Sequence, residues 1–309
     1  MPADFTFPGH RLDPKALRRL KRAILFAYGN TPNSRNMECH WYAVWDRVLA
    51  DLIADTSRLI PVPQFVVWYI EPDPTDEGGS QPSGGGEEAG NTTIDSITTF
   101  ASTIPEKSAL ELVPDFAIVR TMLRRTAQSA KLKYTGVPLL VEVKRLPMRF
   151  ADWDDPTYLE KIDQQVIVAE SHVMEQATYL FRNYPRQQSA IVIACSGLWW
   201  RCRIVHKTDI QDPDLFVPRI DDDDEEDKGD AEEDGTDDSD EGETSDDELD
   251  LIGTPEALAH GESEEAIPEN KFSTTLQLGT RGSDQRFGLI HKRLLQVLDN
   301  PYRTTGEMG

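Results

Sequence analysis

The chain has 309 residues and a formal net charge of −23 at pH 7. Between residues 221 and 250, 20 acids stand against Lys228 alone, a net of −19, so the rest of the chain carries only −4. Three cysteines and no long apolar run exclude a disulfide-rich secreted scaffold and a membrane span. No zinc-type spacing occurs among the histidines, and no apolar leader opens the chain. We therefore expect a soluble protein with reduced thiols, in the nucleus or the cytoplasm.

The first predicted helix carries Leu17, Leu20 and Ile24 at helical spacing as its core stripe. The opposite face is basic, with Lys15, Arg18, Arg19, Lys21 and Arg22. Such a cluster can touch phosphate, act as a nuclear-import signal, or only solvate the helix. A second helix is predicted from Met37 to Asp55, with Asn33 and Ser34 as candidate N-caps and Glu38 in its first turn.

Three strands are predicted next: Gln64–Ile70, Pro114–Arg120 and Val137–Arg145. The interval between the first two contains a Gly-, Pro- and acid-rich segment, residues 71–93, which we expect to be a flexible loop. The interval between the second and third looks like a long insertion rather than a tight hairpin.

A long helix follows, with an apolar stripe that includes Leu159, Val166 and Leu180, and Gln176 falls on that stripe. Two strands come next, Ala190–Cys195 and Trp199–Val205. Residues 211–270 are too acidic and too poor in apolar residues to fold, so we expect a disordered insertion. A strand and a helix over residues 271–300 then return to the core, which makes residues 1–309 one α/β domain.

The third strand carries the chemistry. Side chains alternate along a strand, so Glu142 and Lys144 project together while Val141 and Val143 point the other way. Asp115 follows Pro114 at the start of the preceding strand. If the two strands are neighbours, two carboxylates and a lysine meet, as Mg²⁺ and attack on a phosphate require. The plainer interpretation is an edge strand with a solvated Glu/Lys pair, because charged residues are mostly exposed.

The acid-x-Lys spacing alone is weak, because it recurs at Asp13/Lys15, Glu226/Lys228 and Glu269/Lys271. Only Glu142/Lys144 follows an apolar run. Together with the order helix, three strands, helix, strand, this pattern resembles the PD-(D/E)XK nuclease superfamily, and in particular an expanded group of fungal proteins that carry this domain. The resemblance implies a restriction-endonuclease-like core, with a mixed central sheet flanked by helices.

The resemblance also implies roles for individual residues. Asp115, Glu142 and the Val143 backbone carbonyl would bind Mg²⁺ or Mn²⁺, and Lys144 would orient the attacking water. Glu38 would hold a second metal or orient a water, and Gln176 would support the site or touch the DNA backbone. From the residues alone, Glu38 can equally complement the helix dipole, and Gln176 can be a surface glutamine.

Basic residues surround the proposed site, as a polyanionic substrate would require. Those expected to bind nucleic acid are Arg120, Arg124, Arg125, Lys131, Lys133, Arg145 and Arg149. The sequence thus predicts a Mg²⁺-dependent nuclease acting on DNA. The alternative is a catalytically silent nuclease-fold module that serves as a scaffold for nucleic acid or protein. The acidic insertion can bind basic proteins, compete for the basic patch, or only aid solubility.

Overall fold

The computed structural model describes residues 5–69, 110–125, 130–148, 156–210 and 266–299. These residues form an α/β fold in which helices flank a mixed six-stranded sheet. The predicted loop at residues 71–93, most of the acidic insertion and Arg149 lie outside the described residues. No helix among the described residues is both long and apolar enough to cross a membrane.

Five α-helices lie within the described ranges, besides a short 3-10 helix at Lys207–Ile210. They are α1 (Pro8–Leu12), α2 (Ala16–Tyr28), α3 (Cys39–Leu52), α4 (Pro156–Asn183) and α5 (Arg281–Asp299). The predicted stripe of α2 was partly wrong, since Leu17 is 46% exposed and the buried positions are Ala16, Leu20, Ile24 and Ala27. The i, i+4, i+8 spacing therefore starts one residue earlier than the sequence suggested.

Eight strands lie in the same ranges. They are β1 (Leu59–Pro63), β2 (Val67–Tyr69), β3 (Leu110–Leu112), β4 (Phe116–Arg125), β5 (Ala130–Lys144), β6 (Ser189–Ser196), β7 (Trp199–His206) and β8 (Leu276–Gln277). The large sheet has the order β1-β4-β5-β6-β7-β8, and only the β5–β6 pair is parallel. The parallel pair at the centre of this order is joined through α4, as a parallel connection requires.

Two strand predictions need correction. Residues 64–70 were expected to form the first core strand, but within the described part, residues 64–69, only Val67–Tyr69 forms a strand, and it pairs with β3 in a separate two-stranded sheet. The strand that pairs with β4 is β1, which contains Pro61 and Pro63. Proline cannot donate to a ladder, so it is tolerated here because β1 is an edge strand.

The predicted insertion between the second and third strands is in fact part of them. β4 and β5 remain paired from Phe116↔Val141 out to Arg125↔Ala130, with register shifts after Ile118 and Met122. Such irregularities are the mark of β-bulges, which bend a ladder without ending it. The long hairpin therefore fixes how Asp115 lies relative to the end of β5.

Helices cover both faces of the sheet. On one face α4 buries Ile162, Val166, Ala169, Val173 and Leu180, so its predicted stripe is confirmed in the main. On the other face the rings of Trp45 in α3 and Phe287 in α5 both contact that of Trp200. The two indole nitrogens have partners, since Trp45 donates to the Gly197 carbonyl at 2.9 Å and Trp200 to Ser283 at 3.1 Å.

The sequence analysis placed the end of the acidic insertion at residue 270, which is too late. Ile267 is buried, and the Pro268 carbonyl accepts the Ile204 amide at 2.7 Å, so these two residues pack on the core. The predicted strand at 271–278 is paired only at Leu276–Gln277. Upstream, the Ser273 hydroxyl accepts the Cys202 amide at 3.1 Å, and a side chain thereby replaces part of the ladder.

Candidate metal centre

The hairpin places Asp115 opposite Glu142, because the next pair in the antiparallel register is Phe116↔Val141. Asp115 Oδ2 accepts the Val143 amide at 2.7 Å, and the Asp115 carbonyl accepts the Gln64 amide at 2.7 Å. Main-chain amides therefore bind both the side-chain carboxylate and the backbone carbonyl of Asp115. The structure thus places Asp115 opposite Glu142, with its carboxylate bound to the main chain at the end of β5.

Glu142 and Lys144 lie on the same face of β5 and form an ion pair, with Lys144 Nζ 2.8 Å from Glu142 Oε1. The end of the strand is fixed by β6 and the turn that follows it. Gly197 donates to the Lys144 carbonyl at 2.9 Å, and the Ser196 hydroxyl donates to the Arg145 carbonyl at 2.8 Å. These hydrogen bonds hold the Lys144 backbone next to the acid.

Helix α4 supplies two further partners to Glu142. Gln176 Nε2 donates to Glu142 Oε2 at 2.7 Å, so Gln176 lies in the site as predicted rather than on the helix surface. His172, one turn earlier, places Nδ1 3.2 Å from Glu142 Oε1. A carboxylate only accepts, so Nδ1 carries the hydrogen of that bond.

Helix α3 brings Glu38 to the same place through Tyr42. The Tyr42 hydroxyl lies 3.1 Å from Glu38 Oε1 and 2.5 Å from Asp115 Oδ1. Because both oxygens contact the same hydroxyl, Glu38 Oε1 and Asp115 Oδ1 lie no farther apart than these two distances added together. Glu38 is the N-cap of α3. The segment just before it is held by Asn33, whose Oδ1 accepts a hydrogen bond from the Met37 amide at 2.7 Å.

Burial and the nearby negative charge of Glu142 both change the pKa of Asp115, whose exposed fraction is 8%. Desolvation, with a further contribution from the Glu142 charge, raises its pKa to about 7, against hydrogen bonds from Tyr42 and Val143 that favour the charged form. Desolvation and the hydrogen bond to Asp115 also raise the pKa of Tyr42. At neutral pH Asp115 is therefore poised between its neutral and ionised forms.

Glu142 behaves in the opposite way although it is 5% exposed. Burial alone would raise its pKa, but the hydrogen bond from His172, the Lys144 ammonium and Gln176 together lower it. Burial acts to lower the pKa of Lys144, but the Glu142 charge, the hydrogen bond to Glu142 and the charges of Glu38 and Asp115 together outweigh burial and raise that pKa. The Glu142 side chain is therefore an ionised carboxylate and that of Lys144 a charged ammonium. A charged ammonium has no free lone pair, so Lys144 is suited to orienting a water and not to removing its proton.

The donor atoms match what Mg²⁺ prefers, which is carboxylate, carbonyl and amide oxygen. Each Asp115 oxygen accepts one hydrogen bond and Glu142 Oε2 accepts one, so each retains acceptor capacity. Gln176 Oε1 is buried and accepts no hydrogen bond from the described protein. Among the described residues no three His, Cys, Asp or Glu side chains are grouped to hold a metal.

The predicted basic patch is only partly described. Arg145 is exposed, whereas the side chains of Arg124, Arg125, Lys131 and Lys133 lie outside the described part, on β4 and β5.

Arg120 is a correction, because it is 2% exposed and donates to the Val297 carbonyl at 3.0 Å. Together with Arg58, which reaches the Leu298 carbonyl, it satisfies acceptors at the end of α5 and is not available to a phosphate.

Tyr42 and His172 are the site residues that sequence reasoning missed. Each lies one helical turn from a predicted residue, Tyr42 four after Glu38 and His172 four before Gln176. Residues four apart share a helix face, so both positions follow from the helices once Glu38 and Gln176 are placed. No family model, no curated protein and no solved structure matches this chain.

Proposed function

We propose that this protein is a metal-dependent nuclease that hydrolyses phosphodiester bonds in DNA with Mg²⁺ or Mn²⁺. The observation that supports it is the network around Glu142 and Asp115: two buried carboxylates, the Lys144 ammonium and Gln176 are joined by hydrogen bonds at the end of β5. Within the six-stranded sheet and its helices, the order α3, then β1, β4 and β5, then α4 and β6 is consistent with a restriction-endonuclease-like core.

The proposed roles follow from the hydrogen bonds. Asp115 and Glu142, with the Val143 carbonyl, would hold the cation, and the orphaned Gln176 oxygen provides a further acceptor for it or for its water. When bound, the cation would supply Lewis-acid stabilisation of the charge that develops on the phosphate. Lys144 orients the attacking water, and Tyr42 keeps Glu38 close to Asp115, where the glutamate can accept a hydrogen bond from that water or help to hold a second cation.

The direct experiment incubates purified full-length protein with supercoiled plasmid and with single-stranded DNA. We expect nicking or degradation in Mg²⁺ or Mn²⁺, and none in EDTA, because the carboxylates alone do not offset charge on a phosphate. Cleavage that continues undiminished in EDTA would contradict a metal-dependent mechanism.

The scaffold alternative predicts a different pair of results. A silent module would bind nucleic acid or protein, show no heat of Mg²⁺ or Mn²⁺ binding by calorimetry, and leave every DNA substrate intact. The described geometry favours the nuclease, because a site without a cation has no evident need to bury two acids side by side at the cost of their desolvation.

A further inference from the structure

Helix α2 presents one exposed face that combines positive charge with large apolar side chains. The face consists of Arg18, Arg22, Leu25 and Phe26, which fall within about a quarter turn of one another at 100° per residue. Leu25 is 42% exposed and Phe26 is 50% exposed. No acidic residue occurs in α2, and neither arginine pairs with an acid in the part of the chain that the structure describes.

One end of this α2 face is joined to the start of α3, the helix that carries Glu38 and Tyr42. Asn33 ties the end of α2 to the start of α3, since its Nδ2 donates to the Ala27 carbonyl at 2.8 Å and its Oδ1 accepts the Met37 amide. The Phe26 ring lies 5.5 Å from that of His40, which is two residues beyond Glu38. From Phe26 the face runs back along the helix for about 12 Å to Arg18, at 1.5 Å per residue.

The side chains of the α2 face indicate which class of ligand it can bind. A purely solvating face has no reason to expose Phe26 and Leu25, and a surface for duplex backbone has no use for an aromatic ring. Basic residues in line with an exposed ring are what a strand with unpaired bases requires, since its phosphates need cations and its bases need a flat apolar partner. A basic amphipathic helix also suits an anionic membrane, but the connection of α2 to the start of α3, which carries Glu38 of the proposed nuclease site, favours nucleic acid.

We propose that the α2 face binds a single-stranded stretch of nucleic acid, with Phe26 stacking on a base and Arg18 and Arg22 contacting phosphates. The strand would lead from this face past His40 towards Glu38. The choice of ligand rests on the proposed nuclease function, but the binding itself does not depend on cleavage. The site would therefore favour substrates with an unpaired end, gap or loop.

The test measures binding of a fluorescent single-stranded oligonucleotide to the full chain in EDTA, where no cleavage occurs. Arg18→Gln with Arg22→Gln should weaken binding about tenfold, and the log–log salt slope should become shallower by about 0.7 for each phosphate that an arginine no longer neutralises. Phe26→Ala should weaken binding by about tenfold with the slope unchanged, because stacking is not electrostatic. Phe26→Trp should retain the affinity, which separates stacking from an effect on folding.

The matched control is Arg186→Gln with Lys292→Gln, which removes the same charge from two exposed positions elsewhere. Control and α2 variants that weaken binding equally would overturn the proposal, as would a duplex that binds more tightly than the single strand with the same dependence on Phe26. So would α2-dependent binding to anionic vesicles but not to the oligonucleotide. If only the α2 variants lose binding, the proposed α2 site is supported even if the protein cleaves no DNA. If the α2 variants bind like wild type but the protein still cleaves DNA, the α2 site is overturned and the proposed nuclease function is not.

Discussion

Replacing Glu142 with glutamine is expected to reduce DNA cleavage by about 100-fold or more, since the variant removes a charged ligand at the centre of the site. Glu142 accepts hydrogen bonds from Lys144, His172 and Gln176. Glutamine has the same shape and keeps an oxygen for Lys144, but it carries no charge with which to hold a divalent cation. The measurement is the rate of plasmid nicking at saturating Mg²⁺, compared with wild type.

Glu160→Gln provides the matched control, because Glu160 is exposed on α4 and the substitution changes the same charge. That variant should cleave at the wild-type rate. Urea unfolding of both variants shows whether either has lost its fold. Equal cleavage by wild type and a folded Glu142→Gln protein would be incompatible with the proposed site.

The second large effect concerns stability and pH. The pKa of Asp115 is raised from 3.8 to about 7 in the folded protein, chiefly by desolvation. Between those values the folded state binds a proton that the unfolded state releases. The stability contributed by this proton is complete below about pH 4 and is lost as pH rises to 7, by up to about 1.4 kcal/mol per pH unit. Without metal, the wild-type protein should thus be less stable at pH 8 than at pH 5.

Asp115→Asn should remove this dependence. Asparagine mimics the protonated acid, since its oxygen can accept the Val143 amide while its NH₂ donates to the Tyr42 oxygen, which donates to Glu38 in turn. In EDTA at pH 8 the variant should exceed wild type in free energy of unfolding by about 2 kcal/mol, and Mg²⁺ should stabilise only wild type.

Urea titrations at pH 5, 6, 7 and 8, with and without Mg²⁺, check both parts of the Asp115 prediction. Asp46→Asn, an exposed change on α3, should follow the wild-type profile in every condition. A wild-type stability that does not fall between pH 5 and 8, or an asparagine variant that Mg²⁺ stabilises equally, would refute the proposed state of Asp115.

Much of the site was accessible from sequence because it follows from local periodicity. Alternation put Glu142 and Lys144 on one face of a strand, and helical spacing put Gln176 on the buried stripe of α4. The hydrogen bonds place these residues near Asp115 and Glu38, and the catalytic roles of all of them stay a prediction. The sequence does not reveal the pKa shifts, because they depend on burial and on tertiary partners that raise the pKa of Asp115 and lower that of Glu142.

The errors have specific physical causes. β1 was missed because Pro61 and Pro63 argue against a strand, and only its place at the sheet edge makes them acceptable. Arg120 was assigned to nucleic acid because one sequence shows its charge and not its tertiary partner, the last turn of α5, more than 170 residues away. Tyr42 and His172 were missed because neither residue type has a fixed place in the sequence pattern. The Arg120 contact arises from tertiary packing that no local pattern encodes, whereas Tyr42 and His172 each lie one helical turn from a residue that the sequence did identify.

The most direct test of the metal site is anomalous X-ray scattering from crystals of the wild-type protein grown or soaked with Mn²⁺ at neutral pH. We expect an anomalous peak in contact with carboxylate oxygens of both Asp115 and Glu142. A well-ordered site with both carboxylates visible and no peak between them, or Mn²⁺ bound only elsewhere, would contradict the proposed metal centre.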